Sequence, residues 1–385
     1  MVDLAKVAHI VEQARDRVRR VYQHELGKHR REVLTPALLL DVAAARRNID
    51  TMADRMRDMS AELRPHVKVH KSPELARMQI AAGAIGISTA TVWEAIVMVC
   101  SGLDGVFVVN TVAGSEKLDA LAALAGEASV MVAVDDATNA KQVAAAARAA
   151  GSTVGILIEL DTGMDRAGVD SIAEAVELGK RVAELRGVQL LGLTGYEGHC
   201  SLTPERELRH RREQAAMSFL VEAADALRGV GLPCPIVSAG GTATWEWTAS
   251  FPGVTESQAG SYVVMDNFHR AMVDEFDHAL TVAATVISRR PDRAILDAGS
   301  KSMGAPALAT IADHSLVNLR FDEEHGIFEA APDTGVRLGD VVELIPGYAP
   351  ATVNLYDAYY VVADDHVVDI WPVLPRGPGH GGLLV

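Results

Sequence analysis

The sequence predicts an α/β fold, a (β/α)8 TIM-like barrel followed by a mostly antiparallel β-domain. Three observations carry this expectation. Between residues 42 and 275 short apolar runs alternate with Ala-rich segments of helical spacing. Eight such runs occur, which is the number this barrel needs. After residue 276 the helical period disappears, and short β-type runs separated by turn residues replace it.

Residues 1–41 read as a helix and a strand. M-V-D-L-A-K-V-A-H-I-V-E-Q-A-R is amphipathic and lacks the uninterrupted apolar core of a signal peptide. T-P-A-L-L-L-D, Thr35 to Asp41, supplies a strand that joins the later β-domain. In the barrel, residues 42–275, strands are expected at Pro65–Val69, Ile85–Thr89, Gly105–Asn110, Val130–Asp135, Val154–Asp161, Leu190–Tyr196, Pro235–Ser238 and Gly253–Gln258. Helices are expected at Pro73–Ala82, Ala90–Ser101, Ala137–Ala150, Ser171–Leu185 and Pro204–Arg228. Such crossovers make neighbouring strands parallel; an open doubly wound sheet is the competing arrangement. In residues 276–385 the β-type runs are V-A-A-T-V-I-S-R-R, R-A-I-L-D-A-G, V-V-E-L-I-P, A-Y-Y-V-V and V-V-D-I-W-P-V-L. The tail G-P-G-H-G-G reads as mobile and leaves His380 without a role.

A net charge of −15 argues against nucleic acid or anionic membranes as partners. No run approaches the roughly 18 apolar residues of a membrane span. Cys100, Cys200 and Cys234 are odd in number and lack metal-type spacing, which fits a reducing, cytoplasmic setting.

Against this acidic background R-P-H-V-K-V-H-K-S-P, Arg64 to Pro73, gathers positive charge. Read as a strand, it points Val67 and Val69 one way and His66, Lys68 and His70 the other. A lysine turned inwards needs a charge partner or a covalent task. Lys71, one face away, reads as exposed or paired. A barrel places its site at the C-terminal strand ends. There V-S-A-G-G-T (Val237 to Thr242) and A-G-S-Y (Ala259 to Tyr262) follow the seventh and eighth strands. Glycines let backbone amides approach an anion, and hydroxyls add donors, so the pair reads as a phosphate cradle. Each segment alone could be a turn. Phosphate at one end and a buried lysine at the other point to a Schiff base between Lys68 and pyridoxal 5'-phosphate; a salt-bridged lysine is the alternative.

The lysine segment resembles that of the D-threonine aldolase and D-serine dehydratase family, pyridoxal phosphate enzymes of the alanine racemase-like fold type III. Further matches are I-E-L-D-T-G-M-D-R-A-G-V (Ile158 to Val169), G-Y-E-G-H (Gly195 to His199), S-A-G-G-T, Q-A-G-S-Y-V-V-M-D (Gln258 to Asp266) and T-V-N-L-Y-D (Thr352 to Asp357). The resemblance implies a homodimer whose two chains complete each other's sites. It implies Lys68 as the Schiff-base lysine, flanked by His66 and His70, with Arg166 near the phenolic oxygen. Tyr196 and His199 would line the substrate side. Ser238, Gly240, Gly241, Thr242, Gly260 and Ser261 would hold phosphate, and Tyr262 would pack on the cofactor or fill the rim.

One departure matters. The family pattern resembles P-x-H-x-[DC]-x-T-V-N, in which the His and the acid or thiol bind a divalent metal. Here the stretch is P-G-Y-A-P-A-T-V-N, with Tyr348 and Pro350 at those places. Proline offers no ligand atom and neutral tyrosine is a poor one, so no catalytic metal is expected. His199 then becomes the expected general base, and Tyr348 a hydroxyl partner or an α-proton acid/base. The expected activity is metal-free retro-aldol cleavage of a D-β-hydroxy amino acid, as in a D-threonine aldolase. Metal-independent racemisation or epimerisation and D-serine dehydratase-like deamination are the alternatives. A cofactor carrier without turnover and a sugar-phosphate barrel enzyme are more distant ones.

Overall fold

The computed structural model describes residues 3–313 and 315–378. The tail from residue 379, with His380, lies outside them. Helix α1 (Leu4–Tyr22) starts at Asp3, whose carboxylate accepts the Lys6 amide, and its Val7 and Val11 pack into the barrel's outer layer. Strand β1 (Ala37–Asp41) explains its unbroken A-L-L-L run. Leu38 and Leu40 enter one apolar cluster and Ala37 and Leu39 another, so both faces are buried.

The barrel follows as α2 (Val42–Met56), β2 (Glu62–Leu63), α3 (Pro73–Ala81), β3 (Ile87–Thr89), α4 (Val92–Cys100), β4 (Val106–Val108), α5 (Ser115–Leu124), β5 (Val130–Val134), α6 (Ala137–Ala150) and β6 (Val154–Leu160). It continues with α7 (Ile172–Ala183), β7 (Val188–Gly195), α8 (Arg206–Gly229), β8 (Ile236–Ala239), α9 (Trp245–Ser250), β9 (Glu256–Ser257) and the short α10 (Asn267–Arg270). The strands run in the order β2-β9-β8-β7-β6-β5-β4-β3, and every paired neighbour is parallel. The Ile85 amide to Leu63 O and the Ser88 amide to Pro65 O, each 2.9 Å, bring β3 back to the β2 segment. Helix starts follow local chemistry. Thr91 and Ser171 accept the amides of Glu94 and Glu174, and those glutamates reach back to the amides of Ala90 and Asp170. Inside the ring Phe107, Met131, Ala133 and Leu157 form a closed cluster. Gly155 leaves room for it, since a Cβ there would stand 2.8 Å from Met131 Cγ.

One expectation fails locally. The alternating strand over Arg64–His70 is not formed. The chain is extended only as far as His66, and Val67–Val69 then makes a 3-10 turn. The His66 ring caps this turn by accepting the Lys68 amide at 3.3 Å. Both valines are buried, while the other side chains of the segment separate into different environments.

The second sheet comprises β10 (Leu280–Arg289), β11 (Arg293–Leu296), β12 (Thr310–Ile311), β13 (Val317–Phe321), β14 (Gly326–Glu329), β15 (Val341–Ile345), then helix α11 (Ala349–Val353), β16 (Ala358–Ala363) and β17 (His366–Pro372). Its order is β13-β14-β11-β10-β1-β16-β17, with β15 on β10 and β12 on β15. All pairs are antiparallel except β1 with β16. The loop between β15 and α11 reaches the barrel mouth, where the Asn267 and Phe268 amides donate to Pro346 O and Gly347 O, each at 3.1 Å. No described helix is long and apolar enough to cross a membrane.

Candidate active site

A cavity of about 300 Å³ opens at the C-terminal ends of the barrel strands. Lys68 enters it from the 3-10 turn after β2. It forms no ion pair among the described residues, and its ammonium lies 5.5 Å from the centre of the Tyr196 ring. Burial lowers its pKa below that of an ordinary lysine, Glu94 opposes this, and Arg166 adds to it, which raises the share of neutral, nucleophilic amine at a given pH. The other basic side chains of the segment have structural partners. Arg64 grips Glu256 with two bonds of 2.9 and 2.7 Å and donates to Gly105 O. Lys71 pairs with Glu94 at 2.6 Å, and His70 meets Gln79.

His66 lines the cavity beside Lys68. Its Nδ1 accepts an amide, so Nε2 carries the proton, and that buried donor has no partner. Burial and the neighbouring Lys68 charge hold its pKa well below the usual value, so the ring is neutral. Glu159 on β6 presents a buried Oε2 that also lacks a partner. Burial pushes its carboxyl up to about 7, against the pull of Arg166, whose guanidinium lies 3.7 Å away. Arg166 is placed by the turn after β6. There Asp161 accepts the amides of Gly163, Met164 and Arg166, which fixes the loop. Tyr196, whose hydroxyl burial pushes up to about 12, stays protonated at neutral pH.

Gly240, Gly241 and Thr242 after β8 meet Gly260 and Ser261 after β9 on the cavity wall. Gly240 holds φ +89°, a conformation that favours glycine. A Cβ on Gly260 would stand 2.4 Å from His66 O. Among the described residues the amides of Thr242, Gly260 and Ser261 have no hydrogen-bond acceptor, so three donors remain open. Ser238 and Tyr262 do not line this cavity. Ser238 Oγ accepts from Gln258, which does line it. Tyr262 is buried against Phe276, its hydroxyl accepting from Gln79 and its amide donating to Thr242 Oγ1.

The sequence-expected base, His199, is also outside the lining. Its ring abuts Gly163, its Nδ1 is buried without a partner, and its Nε2 lies 3.7 Å from Cys200 Sγ. A histidine that sequence reasoning missed takes a place in the wall. His269 on α10 donates from Nδ1 to Asp266 Oδ1 at 2.7 Å, and its ring stacks on Tyr348 at 6.0 Å and 19°. The signal for it is D-x-x-H, an aspartate cap with histidine three residues on.

The loop from Pro346 to Asn354 does not fit a divalent metal. Tyr348 is packed between rings and Pro350 lies in the first turn of α11. Asn354 is engaged by Gly377, and Asp357 by Tyr22 and Arg376. Among the described residues no group of three or more His, Cys, Asp or Glu side chains is arranged to hold an ion. A larger cavity, about 720 Å³, lies beyond the Phe107 cluster at the opposite end of the strands, where Arg64 is already paired.

The alanine racemase N-terminal domain model matches residues 40–267, and the putative serine dehydratase domain model matches residues 279–362. D-threonine aldolase of an Arthrobacter species is 37% identical over 89% of this chain and 93% of its own. 3-Hydroxy-D-aspartate aldolase of Paracoccus denitrificans is 32% identical over 92% and 95%. The crystal structure of D-threonine aldolase from Filomicrobium marinum superposes with a TM-score of 0.88 at 35% identity, covering 91% of this chain and 98% of that one. Alanine racemase from Bacillus anthracis shares the fold at a TM-score of 0.66 and 14% identity, covering 88% and 97%. With both parts of the chain matched and aldolase relatives aligned over most of their length, the protein belongs to the D-threonine aldolase and D-serine dehydratase-like family of pyridoxal phosphate enzymes, which act on D-amino acids.

Proposed function

We propose that this enzyme is a pyridoxal phosphate-dependent lyase that cleaves the Cα–Cβ bond of a D-β-hydroxy amino acid without a catalytic metal. The observation that carries the reading is the pairing, in one cavity, of a lysine with depressed pKa and an open cradle of amides, beside a loop that brings tyrosine and proline where the family pattern has metal ligands. The relatives named as D-threonine aldolase and 3-hydroxy-D-aspartate aldolase support the reaction class.

Pyridoxal phosphate fits the residues present. Lys68 would hold its aldehyde carbon, and the amides of Thr242, Gly260 and Ser261 its phosphate. The unpartnered His66 Nε2–H and Glu159 Oε2 offer polar contacts along the wall. When bound, the cofactor supplies a sink for negative charge developing at the substrate Cα. Lys68, on the wall of the same cavity, would be placed to carry a proton to the substrate Cα after cleavage. Tyr196 and Arg166 orient the reacting amino acid, and the ring of Tyr196 covers Lys68. A second reading, α-proton transfer as in a racemase or epimerase, draws on Tyr348 in the same cavity as Lys68.

Proton NMR with D-threonine in D₂O, with and without a chelator, tests both points. Equal glycine and acetaldehyde in the two samples is the expected result. Cleavage abolished by the chelator would sink metal independence. Loss of the α-proton without cleavage would favour the second reading.

Gly260→Ala should separate the cradle from the reaction. Its Cβ would press on backbone at His66 O, which has little freedom to yield, so the cradle or the Lys68 turn must move. Overpacking of this kind costs about 1–3 kcal/mol, and a cofactor affinity roughly 10–100-fold weaker is expected by absorbance titration. Unchanged affinity would remove Gly260 from the cradle.

We also take the enzyme to be a cytoplasmic homodimer. Three cysteines, an odd number without metal-type spacing, support the compartment, and the family resemblance supports the dimer. Light scattering at working concentration decides the second point.

A further inference from the structure

We infer that His269, oriented by Asp266 and backed by Tyr348, takes the β-hydroxyl proton of the substrate. The inference rests on the lyase reading above and names the proton acceptor that a metal-free site requires.

The geometry argues for it in three ways. First, Asp266 is completely buried, and its oxygens are fully engaged. Oδ1 accepts the His269 amide at 2.8 Å and Nδ1 at 2.7 Å, and Oδ2 accepts the Ala349 amide at 2.7 Å. Three donors keep the carboxylate from turning away. Second, the Nδ1 bond fixes the tautomer. Nε2 is left as the acceptor nitrogen of a ring that lines the same cavity as Lys68. Third, Tyr348 lies almost parallel to that ring and lines the cavity as well. Burial and the nearby Asp266 raise its pKa, so its hydroxyl remains a donor for a substrate oxygen. Barrel and second sheet meet at this couple, since Asp266 and His269 come from the barrel end and Ala349 and Tyr348 from the facing loop. His199 does not line the cavity, and although Asp161 lies near enough to act on it, its buried Nδ1 accepts or donates no hydrogen bond among the described residues. Its neighbour Cys200 is a thiol pushed up to about 12, chiefly by burial, and offers no charge to orient a base.

In the step, the β O–H bond breaks and its proton passes to His269 Nε2. The O–H electron pair becomes the second bond of the aldehyde carbonyl. The Cα–Cβ pair remains on Cα, which is later protonated to give glycine. Asp266 stabilises the imidazolium that forms and acts as a positioning residue.

The test uses the holoenzyme with D-threonine and D-3-hydroxyaspartate as substrates and D-2-aminobutyrate, which has no hydroxyl, as a probe. His269→Gln is expected to slow cleavage roughly 10²–10³-fold, the usual worth of a positioned proton acceptor. Its cofactor absorbance, its dissociation constant for D-2-aminobutyrate and the exchange of that probe's α-proton in D₂O should stay close to the unmodified enzyme's. Tyr348→Phe should show the same pattern to a smaller degree. The proposal is overturned if His269→Gln cleaves nearly as fast as the unmodified enzyme, if His199→Gln alone shows the selective loss, or if His269→Gln loses probe binding together with cleavage. If the unmodified enzyme exchanges the probe's α-proton yet releases no aldehyde from either substrate, the lyase reading fails first and takes this one with it.

Discussion

Lys68→Ala is expected to abolish the cofactor's covalent attachment and to reduce turnover by at least about 10³-fold, or about 4 kcal/mol in the barrier. The amine is selected by its surroundings. It forms no ion pair among the described residues, it sits over the Tyr196 ring, and burial depresses its pKa below that of an ordinary lysine. The sign is favourable, because a lower pKa leaves more neutral amine at a given pH. Borohydride reduction followed by mass spectrometry reads the result. The unmodified enzyme should carry one reduced cofactor on the peptide containing Lys68, and the variant none. Reduced cofactor on another lysine, or unimpaired turnover in the variant, would refute the assignment. Lys71 is a useful contrast, since its ammonium is occupied by Glu94 and Pro375 O. Its loss should cost stability before it touches the cofactor.

The second large effect is on the fold. Phe107→Ala should destabilise the protein by about 3–5 kcal/mol, the range for deleting a buried aromatic ring whose surroundings cannot collapse. Phe107 is completely buried and belongs to the small interior cluster with Met131, Ala133 and Leu157. Strands closed into a ring cannot easily move inward to fill the gap. Val109, on the wall of the site, packs against this cluster, as do Leu191 and Ile236, which line the cavity at the other end. Removing the ring therefore weakens the partition between the two cavities. Chemical denaturation followed by circular dichroism measures the loss, and a change below about 1 kcal/mol would contradict the closed packing described.

Much of this was legible in the sequence because barrel strands are buried on both faces and read as unbroken apolar runs. The run V-G-I-L-I-E-L, wholly buried in β6, is one example. The departure at Tyr348 and Pro350 was equally plain, because the absence of a ligand atom is a property of the residue itself. What could not be read depended on contacts between distant segments. The turn at Val67–Val69 exists because the His66 ring accepts an amide, which overrides an alternation that otherwise suits a strand. Ser238 and Tyr262 carry suitable groups at suitable places, yet Gln258 and Gln79 occupy them. His269 was passed over because its partner in the wall, Tyr348, lies far along the chain, in the loop between β15 and α11.

The central position of β1 has a consequence for synthesis. Leu39 pairs with Thr281 on one side and Tyr360 on the other. At roughly 5–20 residues per second, an early strand with two apolar faces must wait on the order of tens of seconds for its neighbours to be made. During that interval A-L-L-L is an unprotected sticky segment, so the nascent chain should depend on a holding chaperone far more than the finished enzyme does.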